Sequence, residues 1–131
     1  MRSRACLPLL LAAVALAGCG EDEKKGAAGP VKAFPAGKPV RVVGKDYSFT
    51  PARVRTTVGS APIRVELDNR GTLAHNLKVF QGGRDLGGTP TFQGGETRGG
   101  SVRLPPGRYR MVCTVANHEQ LGMVGQFEVT R

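Results

Sequence analysis

At 131 residues the chain has room for one domain beyond an N-terminal leader and a linker, and the roughly 90 residues then left can enclose one core but not two. Nineteen glycines, nine prolines and no tryptophan favour short strands joined by turns over long helices. The formal charge of +9 raises the question of nucleic acid, but Lys and Arg fall singly along alternating segments, with no basic cluster and no aromatic platform between them; the charge suits an anionic membrane surface or an acidic protein better, and no nucleic-acid partner is expected.

Residues 1–18 read as an address. Arg2 and Arg4 form a positive start, and the apolar run from Leu7 to Ala17 is too short to span a bilayer. It closes on Leu16-Ala17-Gly18-Cys19, a small-residue cleavage site followed by cysteine that resembles the bacterial lipobox. That resemblance implies a signal peptide over 1–18 and a diacylglyceryl group on Cys19 once it becomes the first mature residue. Removal of Arg2 and Arg4 would leave 17 basic and 10 acidic residues, a charge of +7. Residues 19–38 are polar, then rich in Gly, Ala and Pro; without hydrophobic periodicity they read as a flexible tether. The domain is then expected over residues 39–131, anchored to a membrane but not crossing it.

From Pro39 the pattern alternates. Val54, Thr56 and Val58 share one face, as do Ile63, Val65 and Leu67. Turn signals separate the runs at Gly59-Ser60-Ala61-Pro62, Asn69-Arg70-Gly71, Gly82-Gly83, Gly94-Gly95 and Pro105-Pro106-Gly107. Short strands at this spacing predict an all-β antiparallel sandwich or barrel with about seven to eight strands. Residues 84–99 are too glycine-rich to assign.

The same parity places unusual side chains inside. His75 shares a face with Leu77 and Val79; Cys113 with Tyr109, Met111 and Val115; Met123 with Gly125, Phe127 and Val129. Of the three cysteines, Cys6 lies in the leader and Cys19 at its end, so Cys113 has no partner for a disulfide. The segment Cys113 to Met123 spaces Cys, His118 and Met by four residues each, and His75 is the only other histidine. Two imidazoles, one thiolate and one thioether are the donor set of a trigonal copper site with a weak axial sulfur. Zinc takes four strong donors, or three and water, and a thioether serves it poorly.

The residues around these donors are similar to those of the cupredoxins, the type 1 blue copper proteins. Asn69-x-Gly71-x-x-x-His75-Asn76 resembles that family's first-ligand region, and Pro106-Gly107-x-Tyr109-x-x-x-Cys113 resembles the strand that delivers its cysteine. Asp46-Tyr47-x-Phe49-x-Pro51 is a further similar element, and the four-and-four ligand loop is similar to that of auracyanins and rusticyanin. The resemblance covers residues 40–131 and implies a Greek-key β-sandwich binding one copper through His75, Cys113, His118 and Met123. Asn76 is then expected to clamp the site from outside, its N–H directed at the Cys113 sulfur and its side chain tied to the ligand loop near Thr114. The carbonyl of Ala74 would occupy the opposite axial side. His118 would be the electron port, with Ala116, Leu121 and Gly122 as an apolar rim. The ligand loop departs from the family's pattern in having Ala116-Asn117 before His118 and Glu119-Gln120 after it.

The function implied is a monomeric, extracytoplasmic electron carrier, not an enzyme, exchanging electrons with a cytochrome, reductase or oxidase. The alternative is a copper-delivery protein on the same fold. That role usually brings Met-rich or His-rich exposed ligands, which this chain lacks.

Overall fold

The computed structural model describes residues 28–131; the expected signal over 1–18, the expected lipidation residue Cys19 and the first part of the expected tether, through residue 27, lie outside the described residues. Ten strands form two sheets. In chain order they are β1 (Val31–Phe34), β2 (Val40–Lys45), β3 (Ser48–Thr50), β4 (Arg53–Thr57), β5 (Ile63–Asn69), β6 (Lys78–Gln81), β7 (Arg84–Gly88), β8 (Thr97–Val102), β9 (Gly107–Val112) and β10 (Val124–Thr130). One sheet runs β1-β4-β10-β9-β6-β7 and the other β3-β2-β5-β8.

The period-two pattern carries most of this. In β5, Val65 and Leu67 are fully buried while Arg64 turns to solvent; in β9, Tyr109 and Met111 are buried while Arg108 and Arg110 are exposed. Val40 and Val42 of β2 meet Val54 of β4 and Phe127 of β10 in one cluster between the sheets. Burying one face of each sheet against the other is the main source of stability in such a sandwich. The alternation expected for Val54, Thr56 and Val58 holds for the first two; Val58 lies past the end of β4 and is exposed.

Three features differ from expectation. The strands number ten rather than seven or eight, and the chain changes sheets within Pro51-Ala52, between β3 and β4. The ordered domain begins before residue 39: Val31–Phe34, inside the segment read as tether, pairs parallel with β4, and Phe34 packs on the core. A four-residue edge strand is too short to show a period, which is why composition masked it. Finally the sheets are mixed, since β4 pairs parallel with β1 and β10, and β2 with β5. Alternation reports which face is buried and is silent on strand direction.

Candidate metal centre

The candidate ligands sit where strands end. Cys113 directly follows β9 and Met123 directly precedes β10, so the loop joining two hydrogen-bonded neighbours carries Cys113, His118 and Met123. The loop is closed at its base by the Cys113 N–H to the Met123 carbonyl (3.1 Å). It is braced within by Met123 N–H to His118 O (2.9 Å), His118 N–H to Val115 O (3.0 Å) and Leu121 N–H to Asn117 O (3.1 Å). These bonds make a packed turn, not a slack connection. Ala116 holds φ of +42° here, a conformation that costs a non-glycine residue about 1–2 kcal/mol.

His75 comes from the other side. It lies before β6 and exchanges backbone hydrogen bonds with Phe92 in an isolated bridge. Upstream, the buried Asn69 amide donates to the Leu73 and Phe92 carbonyls, and its oxygen accepts the Gly71 N–H. The Asn69-to-Asn76 motif is therefore a self-tied loop that aims one imidazole. On the other strand, the Tyr109 hydroxyl bonds back to the Pro105 carbonyl at 2.6 Å and pins the entry to β9.

These elements bring three of the four expected donors together. His75 Nδ1 lies 3.1 Å from His118 Nδ1, and the Cys113 sulfur lies 3.8 Å from the first and 3.6 Å from the second. His75 and Cys113 are fully buried and His118 nearly so, and the three form a group able to hold a metal ion. The point equidistant from the three atoms is about 2.0 Å from each, close to metal–imidazole bond lengths of about 2.0–2.1 Å and metal–thiolate lengths of about 2.3 Å. The donor set fits a trigonal metal. Met123, the fourth expected donor, is fully buried, and its backbone bonds tie it to both Cys113 and His118.

Asn76 ties the segment bearing His75 to the loop that starts at Cys113. Its side-chain NH₂ donates to Thr114 Oγ1 (2.8 Å) and its oxygen accepts the Thr114 N–H (2.9 Å). A third bond, to Thr91 Oγ1 (2.8 Å), was not foreseen from sequence. Burial pushes the Cys113 thiol above its usual pKa, opposed by the backbone N–H groups of Asn76 and Val115. A metal must therefore displace a proton from this sulfur, so affinity is expected to rise with pH. Burial also lowers the pKa of His118, helped by the neighbouring His75 and opposed by Asp46. A neutral imidazole is the form that can ligate.

Two residues of the β2–β3 turn complete the surroundings. Asp46 Oδ1 lies 3.0 Å from His75 Nε2, and the Asp46 carboxylate also accepts the Thr72 N–H and hydroxyl and the Leu73 N–H. The Thr72 hydroxyl, then His75, hold its pKa well below the usual carboxylate range. Tyr47 stands edge-on to His118, ring centroids 5.2 Å apart, at φ of +66°. His118 is only 5 % exposed, while Tyr47 at its ring and Leu121 on the same loop are exposed.

No protein-family model matches the chain, and no curated protein matches it. Solved structures do. Auracyanin B superposes with a TM-score of 0.65 at 22 % identity, covering 81 % of this chain and 97 % of that one. Auracyanin A of Chloroflexus aurantiacus, described as a blue copper protein, gives 0.63 at 18 %, covering 74 % and 100 %. A copper-containing nitrite reductase of Thermus scotoductus gives 0.50 at 22 %, covering 72 % of this chain but 23 % of the enzyme. The described domain has the cupredoxin fold, the all-β class that its sequence motifs implied.

Proposed function

We propose that this protein is a mononuclear type 1 copper protein that carries single electrons outside the cytoplasm, held to a membrane by lipid on Cys19. The observation that carries the reading is the convergence of two Nδ1 atoms and one cysteine sulfur around a point about 2.0 Å from each. Soft thiolate with imidazole favours copper, and a buried thioether on the same loop suits its weak axial position. Among the described residues no fourth His, Cys, Asp or Glu joins the group, so the site does not supply the four strong donors of a structural zinc. The auracyanins add support through their shared fold and, for auracyanin A, its copper. Copper supplies a one-electron couple between Cu(I) and Cu(II). The chain's part is to hold its donors in a braced pocket so that little rearranges when charge changes.

An electron carrier fits better than an enzyme or a delivery protein. The nitrite reductase shares this fold over only a fraction of its length. In the present chain both histidines are consumed by one group, leaving no imidazole for a second copper. Delivery requires ligands that a recipient can reach, whereas Cys113 and His75 are fully buried. The net basic charge suits docking to an acidic redox protein.

Replacement of Met123 by leucine is expected to keep copper bound while raising the reduction potential. The axial ligand tunes the potential, and loss of its electron donation favours the lower charge of Cu(I); each tenfold shift in that preference corresponds to about 59 mV. Cyclic voltammetry of wild type and M123L checks this. The function itself is tested by mixing reduced, copper-loaded protein with an oxidised cytochrome and separately with a copper acceptor. Rapid electron exchange with retention of copper supports the carrier; transfer of the metal without electron exchange replaces it by the delivery reading.

A further inference from the structure

The β2–β3 turn carries none of the four expected ligands, yet its two residues touch both imidazoles, Asp46 at His75 and Tyr47 at His118. Ligation leaves this part of the Asp-Tyr-x-Phe-x-Pro motif unexplained.

We propose that Asp46 is the positioning residue of the first imidazole, fixing His75 as the Nε2–H tautomer so that a bare Nδ1 faces Cys113 and His118, and biasing the site toward the oxidised state of its metal. The second part rests on the copper reading; the first does not. An ionised carboxylate can only accept hydrogen bonds, so the 3.0 Å contact requires the hydrogen on Nε2. In a neutral ring this leaves the lone pair on Nδ1, the atom that faces His118 Nδ1 at 3.1 Å and the Cys113 sulfur at 3.8 Å.

Asp46 is itself oriented for this task by the Thr72 N–H and hydroxyl and the Leu73 N–H. Gly71 keeps the space clear: a Cβ there would collide with Asp46 Oδ1 and sit 2.8 Å from His75 Nε2. A carboxylate behind a ligating imidazole raises its basicity and places negative charge near the metal, and both effects favour the higher oxidation state.

The competing explanation is that Asp46 merely ties down the loop before His75. Nitrogen-15 NMR of the metal-free protein separates the two, together with Cu(II) titration and voltammetry of the loaded form. Wild type is expected to show His75 protonated at Nε2 alone. In Asp46→Ala the single tautomer should be lost, Cu(II) affinity should fall about 10- to 100-fold, and the potential should rise by about 59 mV per tenfold of lost Cu(II) preference. Asp46→Asn keeps an acceptor oxygen, so the tautomer should persist while the potential still rises. Should Asp46→Ala fail to fold, Gly71→Ala keeps the charge but wedges a methyl between the pair, and should reproduce the tautomer loss. A wild-type His75 protonated at Nδ1 would overturn the proposal. So would folded variants of Asp46 and Gly71 that lose stability but keep the tautomer and potential. A wild type that binds no copper yet shows the Nε2–H tautomer would remove the copper reading and uphold the assignment of the tautomer.

Discussion

Replacing Cys113 with serine is expected to abolish the intense visible absorption of the copper-loaded protein and leave the fold standing. The absorption arises from charge transfer between a thiolate and copper, and Cys113 is the only cysteine among the described residues. A serine oxygen is a harder, weaker donor that supplies no such transition. The substitution is nearly isosteric, and the backbone N–H groups of Asn76 and Val115 that face the sulfur can be met by a hydroxyl. The cost in stability is therefore expected to be small, about 1–2 kcal/mol. Visible spectra and thermal melts of C113S beside wild type check both halves. A C113S protein that stays blue would place the chromophore elsewhere.

The second large effect concerns the clamp. Asn76→Ala removes three hydrogen bonds at once from a nearly buried side chain and leaves the part-buried Thr114 N–H without its acceptor. An orphaned donor costs about 1–3 kcal/mol and each lost bond about 0.5–1.5 kcal/mol net, so a total loss of about 2–4 kcal/mol is expected after relaxation. For a domain of this size that lowers the melting temperature by roughly 10–25 °C. The effect reaches the site as well, because these bonds join the segment bearing His75 to the loop that starts at Cys113. Looser coupling should broaden the range of copper geometries and weaken Cu(II) binding by about tenfold or more. Calorimetry and Cu(II) titration of N76A measure the two consequences; a melting temperature within a few degrees of wild type would show that the clamp is incidental.

Much of the site was legible because burial parity and donor chemistry reinforce each other. His75 travels with Leu77 and Val79, and Cys113 with Tyr109 and Met111; all of these residues are buried. Asn76 and Thr114 were readable only through family resemblance, since an amide meeting a threonine 38 positions away leaves no mark on local pattern. Thr91 and Asp46 show the limit. Asp46 meets His75 across 29 positions, and only tertiary folding reveals that a hairpin turn lies behind the imidazole. The same holds for Tyr47, whose ring meets His118 edge-on. At the level of fold, alternation identified core faces in β5, β9 and β10 but missed β1, whose four residues have no room for a period. It was also silent on the parallel pairings of β2 with β5 and β4 with β10. Those directions follow from how the chain crosses between sheets, which no single segment encodes.

Stoichiometric Cu(II) added to the purified, reduced-thiol protein and followed by visible absorption probes the whole arrangement in one step. Saturation at one copper per chain with a strong blue thiolate band is the outcome expected of two imidazoles and a thiolate closing on a single ion. A solution that stays colourless at saturation, or that takes up copper only weakly and without that band, would contradict it.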